Sequence, residues 1–501
     1  MNFIFTKKNY KYYITIIGSL TNILFCIYSL MPPYLLKKPN FYIYQISNYN
    51  SSILLFNKSI EYDSKYCNSS KYIMKKDPNS LNNLAYEYDI YCSNKKEIFD
   101  IFLVISLFTG ATLGNIIFET FPDKYGREKI YKYLSLFGLF LQINLILDFG
   151  MIHLIIIFFF IGINLYIFPL SLVVVKEFII NDLGIIFGIV NGIYPFGGIL
   201  IAFWFMTINN LKLLFIIYCI FLIIFNIYLF KYFYESPRWL HSQNRKIECL
   251  EVLDKVSKFN NIENDWLIYQ KDNPKIIELI GTKSNKHSEQ TNTNVYGFLK
   301  LLKIDSQRNK FINSLLTTIL TGNCFYGIIL YLDKMKGNFF FNAIFTFLGE
   351  LIAELAGGYL TDKFGRKKVS IYLMLFGTIF FILYDILPEQ FSWITLFFSM
   401  MGFAGNFTCL SILINETFVT EIRGTVISDC FIMDRLVPIF IKILGIFLNN
   451  KILDIIFILS GIGSAYITYK GFNETLGLSP KNTILEEEEE DNLKASFLNS
   501  N

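Results

Sequence analysis

A chain of 501 residues that is 53% hydrophobic and only 17% charged, with a mean hydropathy of +0.42, is too apolar for a soluble protein of this size. Its net charge of +4 is small and spread along the chain, which argues against a nucleic-acid partner. The eight cysteines form no CxxC pair and lie apart from the three histidines, so no metal or cofactor is expected. We therefore expect an integral membrane protein.

The first apolar run extends from about residue 12 to residue 30 and follows Lys7, Lys8 and Lys11. It is longer than the core of a signal peptide and has no small-residue cleavage site, so we expect a spanning helix. The positive charge before it predicts an N terminus in the cytosol.

A polar segment, residues 32–97, is predicted to form a large outer loop. It carries candidate glycosylation sites at Asn50, Asn57 and Asn68, a pattern that is also common by chance in asparagine-rich sequence. Cys67 and Cys92 lie on the side expected to be oxidising, where they either form a disulfide or stay free.

Eleven further apolar stretches follow, each close to the roughly 20 residues that cross about 30 Å of hydrocarbon. Five precede a polar segment at 235–310 and six follow it. They are predicted at 98–121, 130–149, 152–175, 184–208 and 211–233, and at 311–332, 338–360, 369–388, 391–414, 425–448 and 452–471.

The resulting fold class is an all-α membrane protein with twelve transmembrane helices in two six-helix bundles around a central cavity. The N-terminal bundle takes residues 1–234 and the C-terminal bundle residues 311–480. The tail at 481–501, with Glu486–Glu490 and Asp491, is acidic and expected to be disordered.

The linker at 235–310 contains Ile247, Leu250, Leu253 and Val256 at helical spacing. It is predicted to form short amphipathic helices under the membrane domain. A solvated linker is the alternative.

One sequence element occurs twice. Residues 123–127 read DKYGR and residues 362–366 read DKFGR, a separation of 239 positions from Asp123 to Asp362. The same separation relates Glu177 to Glu416 and Glu235 to Glu474. The chain is therefore predicted to consist of two equivalent halves in parallel orientation.

The repeated turn lies between the second and third helices of each half. Its glycines, Gly126 and Gly365, allow a tight reversal with positive φ. The guanidinium groups of Arg127 and Arg366 suit a carboxylate, and the candidate acceptors are Glu177 and Glu416, where each fourth helix ends. Such a pair makes a latch. The alternative is that the turns are positive anchors that only hold the topology.

Charge asymmetry sets the predicted orientation. The connections on the side of these turns contribute Lys124, Arg127, Lys129, Lys132, Lys176, Lys363, Arg366, Lys367, Lys368 and Arg423. The opposite side contributes Lys212, Lys334, Lys336 and Lys451. By the positive-inside rule the turns and both termini are expected to be cytosolic.

The turn resembles the signature loop of the major facilitator superfamily, GxxxD[RK]xGR[KR], which residues 358–367 fit throughout. ESPRWL at 235–240 resembles the PESPRWL motif of its organic-ion and sugar transporters, with Tyr234 in place of the first proline. Residues 416–423 resemble their E-x6-R element, and NETLG at 473–477 resembles PETxG. The set is most similar to the organic cation and anion branch.

The resemblance implies a cytosolic ion-pair network that locks the outward-open state. Matched position by position, it would comprise Asp123, Arg127, Glu177, Glu235, Arg238, Asp362, Arg366, Glu416, Arg423 and Glu474. Two departures weaken the first half: Glu119 replaces a motif glycine, and Gly184 stands where the E-x6-R arginine would be.

Substrate contacts are expected at Glu350, Glu354, Asp434 and Arg435. Glu350 coincides with an acid that lines the family's cavity, and Glu354 lies one turn later on the same face. Arg435 is at a position that is acidic in cation carriers and basic in anion carriers. Adjacent helical residues point about 100° apart, so Asp434 and Arg435 are not expected to face the cavity together. An internal Glu350–Arg435 pair that only neutralises helix packing is the alternative.

These features predict a secondary active or facilitative carrier of a small organic solute, with an organic ion as the leading substrate and a proton or cation as candidate coupling ion. A hexose or other neutral solute, and a sensor that binds without transport, are the alternatives. An enzyme is not expected, because His153, His241 and His287 are isolated. ATP is not expected to drive transport, because the sequence contains no GxxxxGK[ST] motif. The sequence does not indicate whether the protein lies in the plasma membrane or in an organelle membrane.

Overall fold

The computed structural model describes residues 8–37, 40–48, 51–54, 60–61, 72–77, 80, 82–88, 90, 95–147, 149–178, 183–208, 210–243, 245–261 and 301–477. The predicted glycosylation sites, the candidate Cys67–Cys92 disulfide, most of the linker and the acidic tail lie outside these residues.

Twelve long helical elements run back and forth in two sets of six. The first set is α1 (Lys8–Leu30), α2 (Lys95–Phe118), α3 (Arg127–Leu147), α4 (Met151–Asn164, continued as Ile167–Phe178), α5 (Leu183–Thr207) and α6 (Leu211–Tyr232). The second is α7 (Asp305–Leu330), α8 (Phe339–Phe364), α9 (Arg366–Ile386), α10 (Ser392–Thr417), α11 (Thr420–Phe447) and α12 (Asn450–Gly471).

Within the described part of the chain, ten helices are long and apolar enough to cross a membrane, and α5 and α11 complete the twelve. The apolar length of α11 is interrupted by Asp429, Asp434, Arg435 and Lys442. The predicted twelve-helix topology is confirmed. The cytosolic location of both termini stays a prediction, because no contact of the structure tests it.

Several helices extend beyond the predicted apolar stretches at the end that carries the repeated turns. The third and ninth helices begin at Arg127 and Arg366 rather than at 130 and 369, and the tenth ends at Thr417 rather than at 414. Hydropathy marks only the apolar part of a helix, whereas the charged motif residues continue it. We call this end of the bundle the motif side and the opposite end, which carries residues 40–48 and 72–76, the loop side.

The polar segment on the loop side contains an antiparallel sheet that the sequence analysis did not predict. Strand β1 (Asn40–Asn48) pairs with β2 (Ser51–Leu54), β3 (Ile60–Glu61) and β4 (Tyr72–Lys76). The side chains of Phe41 and Ile43 are buried, as expected for alternate residues that face one side of a sheet.

On the motif side, a short helix at Pro237–Ser242 and the predicted amphipathic helix at Lys246–Phe259 follow α6. The second buries Cys249, Val252, Leu253 and Val256, while Ile247 is 68% exposed, so its buried face is shifted from the predicted one. The Tyr10 backbone N–H of α1 donates to Asn260 Oδ1 at 2.8 Å, which fixes this helix against the first half.

Glycines allow close helix crossings at equivalent places in the two halves. A Cβ on Gly110 of α2 would collide with the Phe159 carbonyl of α4, and one on Gly349 of α8 would collide with the Phe397 carbonyl of α10. Small residues let membrane helices approach at backbone distance, where packing rather than the hydrophobic effect holds them together.

We therefore expect Gly110→Ala and Gly349→Ala each to lower the thermal-unfolding midpoint in detergent, because overpacking a helix crossing costs about 1–3 kcal/mol. Gly358→Ala in α8 is the matched control, since a Cβ there meets no atom within 4 Å. An unchanged midpoint for both test variants would contradict this account of the crossings.

Candidate functional site

The two repeated turns adopt the same backbone conformation. Gly126 has a φ of +102° and Gly365 a φ of +98°, in the region that L-amino acids with a side chain rarely occupy. A Cβ on Gly126 would also meet the Glu235 carboxylate, and one on Gly365 that of Glu474. Both positions therefore require glycine.

The arginine after each glycine joins the carboxylates that the sequence analysis proposed. Arg127 Nε lies 3.0 Å from Glu177 Oε1 and its Nη2 lies 2.7 Å from Asp123 Oδ1. In the second half Arg366 Nε lies 3.0 Å from Glu416 Oε2 and Nη2 lies 3.0 Å from Asp362 Oδ1. The pairing geometry is therefore duplicated along with the sequence.

In each half, a second carboxylate caps the helix that begins after the repeated turn. Glu235 Oε1 accepts the backbone N–H of Arg127 at 2.9 Å, and Glu474 Oε1 accepts that of Arg366 at 2.8 Å. Negative charge is favourable at the N-terminus of a helix, here α3 and α9. Burial raises the pKa of Glu235 above the usual carboxyl range, while the backbone N–H groups of Ser236, Glu128 and Arg127 oppose that rise.

Two predicted members of the network do not join its ion pairs. Arg238 is exposed, and Arg423 donates from Nη2 to the Phe418 carbonyl at 3.0 Å. Neither forms an ion pair with another residue in the described ranges. The gating role of all ten network residues stays a prediction.

A second cluster of polar groups lies inside the membrane-spanning region, at Tyr326 of α7. Its hydroxyl donates to Asp434 Oδ2 at 3.0 Å and accepts from Arg435 Nη1 at 2.7 Å. The guanidinium also lies 3.6 Å from Asp434 Oδ2. Asp434 and Arg435 therefore meet at the Tyr326 hydroxyl. Adjacent residues of a helix point in different directions, but the arginine side chain is long enough to reach the same hydroxyl.

Tyr326 was missed by the sequence analysis. A tyrosine in an apolar helix was the available signal, because a hydroxyl buried in hydrocarbon needs a partner. Its ring packs edge to face on Phe108 of α2, with 5.7 Å between centroids, so the cluster lies where the two halves meet.

Glu350 and Glu354 of α8 lie on a helix face that packs against α5 of the first half. On this face, Phe347 packs against Gly198, and a Cβ on Gly192 would come within 3.8 Å of the Glu354 Cβ. Glu354 Oε2 accepts from Thr408 Oγ1 at 3.1 Å.

Glu350 is 1% exposed, and its Oε2 has no hydrogen-bond partner within the part of the chain that the structure describes. Arg435 forms its ion pair with Asp434, which argues against the alternative of a neutralising Glu350–Arg435 pair.

On the loop side, two ion pairs connect the two halves. Lys442 Nζ of α11 lies 2.6 Å from Asp100 Oδ2 of α2, and Lys96 Nζ lies 3.9 Å from Asp333 Oδ2, which follows α7. Lys442 is 5% exposed and also donates to the Leu330 carbonyl at 3.2 Å. These pairs were not predicted from the sequence, although a lysine inside an apolar span signals a buried acidic partner.

A model of the Major Facilitator Superfamily matches residues 97–428. Organic cation/carnitine transporter 4 of Arabidopsis thaliana is 24% identical over 220 residues, which cover 42% of this chain and 40% of that protein. Solute carrier family 22 member 15-like of Xenopus tropicalis is 25% identical over 371 residues, 71% of each chain. The chain spans 40%, 39% and 33% of the first three curated relatives that it matches.

Solved structures share the fold across nearly the whole chain. The inward-open xylose transporter XylE from E. coli superposes with a TM-score of 0.62 at 15% identity, covering 94% of this chain and 98% of that one. The proton:xylose symporter XylE bound to 6-bromo-6-deoxy-D-glucose gives 0.60 at 17% identity, with the same coverage. With its twelve helices in two halves and the matching family model, the chain is a multi-pass integral membrane protein that belongs to the Major Facilitator Superfamily.

Proposed function

We propose that this protein is a carrier that moves a small organic cation across its membrane by alternating access. The observation that carries this proposal is the Glu350 carboxylate, buried where the halves meet with one oxygen unpartnered in the described part of the chain. A charge inside a membrane protein is costly unless it is paired or functional. A cationic substrate group supplies the missing partner.

The charges around Glu350 favour a cation over an anion. Arg435, the group that suits an anion, is already engaged by Asp434 and by the Tyr326 hydroxyl. Glu350 and Glu354 then leave an excess of acidic groups on the second-half side of the site. The relatives named as organic cation transporters support the same substrate class.

Alternating access is supported by the distribution of ion pairs. The loop-side pairs, Asp100–Lys442 and Lys96–Asp333, connect the halves. Each ion pair that the structure describes on the motif side joins residues of a single half, as in Arg127–Glu177 and Arg366–Glu416. In this conformation, the motif-side network holds each half together. If the network also locks the outward-open state, it must do so through contacts between the halves that form in another conformation.

A proton is the candidate coupling ion, with Glu354 as its carrier. This carboxylate lies one turn from Glu350 and receives a single hydrogen bond from Thr408 Oγ1. Two carboxylates at this spacing repel each other when both are ionised. A cation bound at Glu350 and a proton bound at Glu354 would each neutralise one carboxylate and so remove that repulsion. Uptake that stops when the pH gradient is collapsed tests this assignment. On this proposal the protein is a transporter rather than an enzyme.

Glu350→Gln is expected to lower uptake of tetraethylammonium into proteoliposomes by at least tenfold, because the substituted amide carries no charge to pair with the quaternary ammonium. Glu389→Gln, at an exposed glutamate of the same half, is the matched control and should transport normally. Unchanged uptake in Glu350→Gln would rule out this carboxylate as the cation site. Binding by the wild type without counterflow would indicate a sensor instead of a carrier.

A charge exchange tests the loop-side closure. Asp100→Lys should reduce uptake at least fivefold, because it places two positive groups together and disfavours the closed loop side. Combining it with Lys442→Asp should restore at least half of the wild-type rate. The pair Lys212–Glu87, 3.5 Å apart within the first half, is the control whose exchange should leave uptake unchanged. A double exchange no better than the single change would contradict a role for this pair.

Arg127→Lys and Arg366→Lys should each lower the thermal-unfolding midpoint, since an ammonium cannot reproduce the forked contacts of a guanidinium. The double variant should show the sum of the two shifts, because distant sites without shared partners are additive within about 0.5 kcal/mol. Arg245→Lys, at an exposed pair with Glu248, should have little effect. Strong coupling between Arg127 and Arg366 would instead show that the two networks act as one latch.

A further inference from the structure

The fourth helix of the first half is broken in the middle. It runs from Met151 to Asn164 and resumes from Ile167 to Phe178. The break has a local cause in Pro169, which has no N–H to donate to the Leu165 carbonyl and whose ring crowds that carbonyl. Instead, the Leu165 carbonyl accepts from the Phe168 N–H at 3.1 Å. This bond joins residues three apart, as in a 3₁₀-helix, rather than four apart, as in an α-helix.

The equivalent helix of the second half is continuous. Helix α10 runs from Ser392 to Thr417, and the position 239 residues after Pro169 is Thr408. Threonine supplies a backbone N–H, so no break is required there. The two halves therefore differ in helix continuity at these matched positions.

A cavity of about 30 Å³ adjoins the break, between α1, α3, α4 and α6. Two of its polar atoms, Ser135 Oγ and Asn164 Oδ1, have no partner in the described ranges, and both residues are at least nine-tenths buried. Tyr28, Leu165, Ile167 and Tyr218 contribute to its lining.

The second half has apolar side chains at the two corresponding positions, and the buried Asn406 beside them is hydrogen-bonded to Ser370 and Thr321. Met374 occupies the position equivalent to Ser135, and Phe403 the position equivalent to Asn164. The glycines beside them confirm the match, because a Cβ on Gly138 would meet Asn164 and one on Gly377 would meet Phe403. The polar cavity is therefore a feature of the first half and not a consequence of the fold.

The size of the cavity identifies its ligand class. About 10–15 Å³ of space for the centre of a water-sized sphere holds one water, and a buried water needs two to four polar partners. A cavity of about 30 Å³ accommodates one or two waters. Unsatisfied polar groups at membrane depth cost several kcal/mol each, which favours hydration over an empty space.

We propose that this cavity binds water and that the hydrated break in α4 is a hinge of the first half. Water satisfies Ser135 and Asn164 while the helical segments on either side change their angle. The segment beyond the break carries Glu177, the partner of Arg127, so bending at the hinge moves the motif side of α4. The hinge does not depend on which solute is transported.

Hydroxyl-radical footprinting of the full chain in lipid nanodiscs tests the water site, because radicals formed from bound water oxidise adjacent buried side chains. Tyr28 and Tyr218 should be modified at least fivefold faster than Tyr131, a buried tyrosine of the same half outside the cavity lining. Met374, intrinsically easier to oxidise, should stay unmodified. Asn164→Leu, which fills the cavity, should bring Tyr28 and Tyr218 down to the level of Tyr131. Equal modification of all three tyrosines in the wild type would overturn the proposal.

Hydrogen–deuterium exchange tests the hinge in the same preparation. Backbone amides at 166–171 should exchange at least tenfold faster than those at 405–410 in α10, and Pro169→Ala should slow them by restoring a donor for the Leu165 carbonyl. Equal exchange of the two segments in the wild type, which needs no variant to fold, would also overturn the proposal. Neither readout involves transport, so failure of the proposed function would leave both results interpretable.

Discussion

The cost of placing a charge in hydrocarbon governs how this chain is organised. Lys442 is held by Asp100, Arg435 by Asp434 and Tyr326, and each motif arginine by carboxylates of its own half. Once these pairs are assigned, Glu350 stands out, because it is 1% exposed and its side chain forms neither an ion pair nor a hydrogen bond in the part of the chain that the structure describes. The same constraint that holds the bundle together therefore marks where a charged substrate would bind.

Much of the fold was predictable because its signals are local. The length of each apolar stretch sets the number of spans, and the repeated DK[YF]GR turn relates one half to the other. The carboxylates near Arg127 and Arg366 were also predictable, since the duplication places Glu177 and Glu416 at one fixed separation from the turns. Helix ends were less predictable because the helices continue through charged residues that hydropathy excludes.

The central and loop-side contacts could not be read from the sequence because they depend on how distant helices meet. Tyr326 connects α7 with α11, and Asp100 meets Lys442 over 342 positions. That Asp434 and Arg435 do not face the cavity together stays a prediction, and their contact with each other depends on the reach of the arginine side chain. The break in α4 is different: Pro169 was a local signal for it, and the sequence analysis overlooked it.

The asymmetry between two halves of common design bears on how a carrier of this kind would work. The candidate substrate acids, Glu350 and Glu354, lie on the second half, where α10 is continuous and its buried Asn406 is hydrogen-bonded to Ser370 and Thr321. The break and its polar cavity lie in the first half. If the first half bends, the geometry of the acidic site changes little while the surface facing it moves. A binding site held on the half whose α10 is continuous would then keep its geometry through the cycle, and access would be set by the half that bends.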